Sequence, residues 1–112
     1  MVIEMPNIHE LAVQIVRFVD AHQPGVVEAE FVDANGTRHT IIDKVLIFTV
    51  DELSADTIYP VQGAARCEVL DRYEDSLGRG LAFVSVKKPD FLESTEGLTE
   101  FTVRAASVSA RT

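Results

Sequence analysis

The sequence predicts an all-β fold with a minor helical element: a small antiparallel barrel of about six strands, partly or fully closed. Three observations lead there. Two Asp-x-x-Gly turns, Asp33-Ala34-Asn35-Gly36 and Asp75-Ser76-Leu77-Gly78, separate stretches rich in β-branched and aromatic residues. Apolar residues make up 46% and charged residues 25% of the chain, a balance that suits a globule rather than a disordered segment. At 112 residues the chain forms a single domain (1–112), large enough to bury roughly two thirds of its unfolded surface.

The elements follow in order. Ile8, Leu11, Ala12, Ile15, Val16 and Val19 fit a helical stripe, but Val13 to Val19 is rich in β-branched residues and Phe18 interrupts the stripe. Whether 8–19 is strand or helix turns on that conflict, and a strand over residues 11–20 is expected. Pro24-Gly25 turns the chain into Val26–Val32. The Asp33–Gly36 turn suits a type I turn followed by a glycine in the left-handed region, a G1 bulge. That register puts Val27, Ala29 and Phe31 on one face with His39 and Ile41. It puts Glu28 and Glu30 on the other with Arg38 and Thr40, so opposite charges become neighbours. A two-residue Asn-Gly loop would instead set Glu28 against Asp43. The next strand is read from Arg38 to Val50. Thr49-Val50-Asp51-Glu52 reads as a capping box, predicting one helical turn near 51–55, with Tyr59-Pro60 ending the connection.

The second hairpin, Ala65–Glu74 and Arg79–Val86, pairs Tyr73 with Leu81 and Asp71 with Phe83 by the same turn geometry. Its alternation is less clean, so both faces are expected to be partly covered. The last strand runs from Leu98 to Val108, with Phe101, Val103 and Ala105 as its apolar face. Residues 1–7 and 107–112 are expected to fray. Short strands in this number close or half-close into an OB-like or SH3-like barrel.

Charge is the non-uniform feature. The chain has 18 acids, 10 bases and a net charge of -8. Asp51, Glu52, Asp56, Asp90, Glu93, Glu96 and Glu100 fall in two short segments without a basic residue; the remaining 11 acids nearly balance the 10 bases. Strand reversal sends the connections near residues 20–25, 50–60 and 88–97 to one end of the domain and the two Asp-x-x-Gly turns to the other. Asp20, Asp51, Glu52, Asp56, Asp90, Glu93 and Glu96 are then expected at a single pole, bordered by Lys87 and Lys88. Such a field excludes nucleic acid and anionic membrane as partners, because both require cationic surface.

Motifs for chemistry are absent from the pattern. Ser54, Ser76, Ser94 and Cys67 could be nucleophiles and His9, His22 and His39 bases, but no spacing matches a nucleophile elbow or protease signature. Gly78-Arg79-Gly80 has no following helix and is a turn, not a phosphate loop. One cysteine and no paired histidines exclude a zinc site, and the acidic segments lack the ligand alternation of an EF-hand, so no metal or cofactor is expected. Asn35-Gly36-Thr37 matches a glycosylation acceptor but is read as turn, since no secretory signal is evident. The lone Cys67 and the acidic start suit a reducing, cytoplasmic setting.

The expected function is therefore a non-catalytic protein-interaction module. Asp20, Asp51, Glu52, Asp56, Asp90, Glu93 and Glu96 would face a basic protein, with Tyr59, Phe91 and Leu92 as apolar contacts. An inhibitor or toxin-neutralising, immunity-like protein is one form of it, by analogy of size and charge. Two alternatives stand beside it: a small-molecule-binding barrel or minor enzyme with a pocket at His39 and Tyr73, and a structural homodimer formed through a sheet edge.

Overall fold

One long strand organises the sheet. In a computed structural model that describes residues 8–20, 22 and 25–110, β1 spans Ile8–Asp20. It pairs antiparallel with β4 (Val61–Glu74) over Ile8–Ile15, with β2 (Val26–Val32) over Gln14–Asp20, and with the short β7 (Val108–Ala110) over His9–Leu11. β3 (Arg38–Lys44) continues the sheet beyond β2, while β5 (Gly80–Ser85) and β6 (Glu100–Arg104) continue it beyond β4. The order is β3-β2-β1-β4-β5-β6, with β7 added to β1.

The conflict over the first element resolves as a bulged strand. Leu11, Val13 and Ile15 are buried and alternate with exposed Ala12 and Gln14. The register then shifts between Ile15 and Arg17, leaving Val16 as the extra residue. A bulge flips the parity of everything after it. Phe18, on the wrong face for simple alternation, thereby pairs with buried Val27 and packs on the core. Further shifts fall between Phe18 and Asp20 in β1 and between Val69 and Asp71 in β4, where Leu70 is the extra residue. In β5 the adjacent residues Leu81 and Ala82 are both buried, so both faces of that strand are covered.

Both hairpins adopt the register expected from turn chemistry. Phe31 pairs with His39 and Ala29 with Ile41; Tyr73 pairs with Leu81 and Asp71 with Phe83. Gly36 (φ 84°) and Gly78 (φ 76°) occupy the left-handed positions that closing these turns requires. In each turn one Asp carboxylate oxygen accepts two backbone N–H bonds: Asp33 from Asn35 (2.8 Å) and Thr37 (3.0 Å), Asp75 from Leu77 (2.9 Å) and Arg79 (2.9 Å). The second oxygen meets a cation or imidazole, His39 Nε2 at 2.8 Å from Asp33 and Arg79 Nε at 2.6 Å from Asp75. Arg17–Glu28 and Arg38–Glu30 pairs line the outer face of the first hairpin, as the register requires.

The sheet curls into a half-barrel whose seam lies between β3 and β6. Ala34 N–H donates to the Thr102 carbonyl (2.9 Å) and Thr95 N–H to the Thr40 carbonyl (2.8 Å) across it. Beneath those bonds Phe31 meets Phe101 edge-on at 4.9 Å, and His39 lies 4.7 Å from Phe101. Such aromatic pairs add about 0.5–1.5 kcal/mol beyond the area they bury.

Besides the starts of β4 (Val61, not Ala65) and β6 (Glu100, not Leu98), three boundaries differ from expectation. The chain leaves β3 at Lys44 instead of extending to Val50, and the helical turn is α1 (Val45–Phe48), not residues 51–55. Lys44 pairs with Val26, the first residue of β2, so β3 has no neighbour beyond it. Its backbone groups find partners locally instead, Val45 N–H on Gly25 C=O and Thr49 N–H on Val45 C=O. Over 51–57, Ser and Thr side chains take the backbone N–H groups that a helix would use: Thr49 Oγ1 accepts from Asp51, Ser54 Oγ from Asp56, Thr57 Oγ1 from Ser54. The third difference is at the C-terminal side. A 3₁₀ turn at Ala105–Ser107 breaks the expected Leu98–Val108 strand, and Val108–Ala110 is ordered against β1 rather than frayed. The expectations for residues 1–7, 111–112 and Pro24 lie outside the described residues.

The turn carboxylates contribute to the acid dependence of the fold. Burial pushes the Asp33 carboxyl up, but hydrogen bonds from His39 and from the Thr37 and Asn35 N–H groups outweigh it and hold the group below its ordinary value. Backbone bonding from Arg79 is the main cause of the same direction at Asp75. Carboxyls lowered in the folded state stabilise it above their unfolded pKa, and that contribution disappears as pH falls through the folded value. The melting temperature is therefore expected to drop as the pH is taken below about 4. Asp33→Asn should cost about 1 kcal/mol at neutral pH and make the acid decline shallower. A variant with unchanged stability and an unchanged acid limb would contradict this role.

Candidate functional site

The connections that follow β1, β3 and β5 (20–25, 45–60 and 86–99) are separate from the two Asp-x-x-Gly turns, and the 45–50 segment shares one open cleft with Arg66 and Asp90 and another with Phe18 and Gly25. The carboxylates named from sequence lie on those connections, but they are not equivalent. Asp20 is occupied by His22, whose N–H (2.9 Å) and ring (2.6 Å) hold its carboxyl below the ordinary value. Asp90 is half-buried and forms a two-point pair with Arg66 of β4, Nε to Oδ2 at 2.9 Å and a second bond from Nη2 to Oδ1. Donating these hydrogen bonds to Asp90 raises the Arg66 pKa further. Asp90 thus fastens the 86–99 connection to the sheet rather than facing solvent. Asp51, Glu52, Asp56, Glu93 and Glu96 are exposed and have no ion-pair partner among the described residues. Lys44, at the end of β3, joins Lys87 and Lys88 among the cations on or next to these connections.

The apolar residues of the connection separate as well. Leu92 is 1% exposed and belongs to the core, its N–H bonded to the Val86 carbonyl. Phe91, next to it, is 77% exposed and sits at φ 58°, a conformation unusual for a bulky side chain. The chain turns over at that residue so that Leu92 can enter the core. Ser94, also buried, accepts the Glu96 and Leu98 N–H groups on its hydroxyl and ties down the remainder. Tyr59 packs against the core and donates its hydroxyl to the Ser54 carbonyl at 2.7 Å. Of the three apolar contacts named from sequence, Phe91 alone is fully presented to solvent.

Four more large apolar side chains are exposed on the same connections: Leu46, Val50 (91%), Ile58 (90%) and, less fully, Leu98. The signal for Leu46 and Val50 in the sequence is the run Val45–Val50, too long for the strand that precedes it. α1 turns Val45, Ile47 and Phe48 toward the core and leaves Leu46 outside. Leu46 and Val50 line both of two open clefts. One, of about 460 Å³, extends to Glu10, Ala64, Arg66 and Asp90. The other, of about 430 Å³, extends to Phe18, Gly25, Val45, Asp51, Glu52 and Leu53.

The pocket expected at His39 and Tyr73 is not formed by these residues. His39 is buried among Phe31, Phe101 and the Asp33 carboxylate, and its Nδ1 has no hydrogen-bond partner. Tyr73 is exposed on the β4–β5 hairpin. Cys67 is fully buried, and desolvation pushes its thiol up to about 11, which disfavours the nucleophilic thiolate. Among the described residues no group of three His, Cys, Asp or Glu side chains is placed to hold a metal ion. No protein-family description, curated protein or solved structure matches the chain.

The contrast between Phe91 and Leu92 predicts opposite outcomes for neighbouring substitutions. Leu92→Ala should destabilise the fold by about 2–5 kcal/mol. Phe91→Gly should raise the melting temperature slightly, because it relieves a left-handed backbone and gives up little buried surface. Thermal unfolding of the two variants checks this; a fall of similar size in both would contradict it.

Proposed function

We propose that this protein is a non-catalytic interaction module whose loop end receives a basic protein partner. The observation that carries the reading is that the 45–60 and 86–99 connections hold both five exposed carboxylates without ion-pair partners among the described residues and four strongly exposed apolar side chains, Leu46, Val50, Ile58 and Phe91. Apolar area supplies desolvated contact, and surrounding charge sets orientation and encounter rate. The carboxylates of the Asp-x-x-Gly turns are already engaged by His39 and Arg79, so they offer less to a partner.

An inhibitor that occludes a basic cleft on a toxin or enzyme is a concrete form of this function. The half-barrel core favours it over a small-molecule binder, since Phe31, Ile41 and Phe101 occupy the interior near His39. Self-association through the loop end would bring like charges together, which favours a partner of the opposite sign. Nucleic acid and anionic lipid are disfavoured by the same field. A buried, unpaired Cys67 suits a reducing compartment such as the cytoplasm. No helix among the described residues is long and apolar enough to cross a membrane.

Replacing Asp51, Glu52 and Asp56 together with their amides should slow association with a basic partner by about tenfold at low salt, with a smaller effect at high salt. Phe91→Ser should chiefly speed dissociation. Partners captured from native lysate, identified and then measured by surface plasmon resonance, provide the test. An unchanged captured set with unchanged association rates would overturn the proposal.

A further inference from the structure

The cleft beside α1 has an apolar floor and a charged rim. Phe18, Val45 and Leu53 line it and pack against the core from the edge, so the floor is fixed by the fold. Gly25 also lines it, and a Cβ there would stand 2.9 Å from the Phe18 ring; its absence leaves the ring its place. Leu46 and Val50 form one wall. Asp51 and Glu52 supply the charge, and the Asp51 backbone is held by its N–H bond to Thr49 Oγ1 at 3.1 Å. Neither carboxylate has an ion-pair partner among the described residues, although Lys44 directly precedes Val45.

A ligand complementary to this cleft has an apolar stem and a cationic head. That is the chemistry of a long basic side chain, which lays its methylenes on apolar surface and keeps its charge at the polar edge. An aromatic ring in the lining adds attraction for a cation, and guanidinium is more weakly hydrated than ammonium. We infer that this cleft is the subsite for an arginine side chain of the basic partner, with its stem on Phe18, Val45 and Leu53 and its guanidinium at Asp51 and Glu52. The inference rests on the proposed basic-partner function and assigns the specificity position within it.

The test is a titration of ¹⁵N-labelled protein with N-acetyl-arginine amide, alongside N-acetyl-citrulline amide and guanidinium chloride. The arginine compound should shift the amides of Gly25, Val45 and Asp51–Leu53 saturably. Citrulline, which keeps the shape without the charge, and guanidinium, which keeps the charge without the stem, should each bind roughly tenfold more weakly or less well still. Asp51→Asn with Glu52→Gln should abolish the local shifts, and Glu93→Gln with Glu96→Gln should leave them. Equal response to citrulline, or shifts spread evenly over all exposed carboxylates, would overturn the subsite. If the subsite fails while the amide variants still slow partner association, the acidic loop end stands without it. If association is also unaffected, the wider function falls too.

Discussion

Antiparallel pairing on both sides of β1 is the constraint from which the rest of this molecule follows. Because β1 serves β4 with its first half and β2 with its second, the two three-stranded meanders are joined through one strand. Tight turns close the β2–β3 and β4–β5 hairpins, and the long segments follow β3 and β5. The bulge at Val16 bends the shared strand while keeping both halves of its apolar face on the same interior. Removing that parity change would turn Phe18 outward and empty the floor of the cleft beside α1.

The tight turns and the long connections manage charge differently. In the turns, each Asp has backbone donors on one oxygen and a side-chain partner on the other, so its charge serves the fold. In the long connections, Asp90 does similar work for Arg66, but its neighbours Glu93 and Glu96 and the Asp51–Asp56 group do not. Exposed apolar residues accompany those unpartnered charges. Phe91 is the sharpest case: its backbone conformation is costly for a bulky residue, and its side chain recovers little of that cost through burial.

Local chemistry made much of the fold legible. The Asp-x-x-Gly turns act over four residues, so both hairpin registers could be read before any tertiary contact was known. The boundaries that resisted reading depend on distant partners. β3 stops level with the first residue of β2, which moves the helical turn from 51–55 to Val45–Phe48; β7 exists because β1 has an open edge at His9–Leu11. The site follows the same division. The acidic segments were legible as composition, whereas the Arg66–Asp90 pair joins residues 24 apart and no spacing rule signals it. Likewise, Leu92 enters the core and Phe91 does not, a distinction set by one left-handed residue rather than by composition.

The proposed function requires an unneutralised negative field at the loop connections that the Asp-x-x-Gly turns lack. Paramagnetic relaxation of backbone amides by a cationic nitroxide, compared with a neutral nitroxide of the same size, measures that field residue by residue. The account predicts a cation-specific enhancement over residues 50–57 and 91–97, lost in high salt, with little difference at 33–37 and 75–79. Equal enhancement over both sets of residues would contradict it.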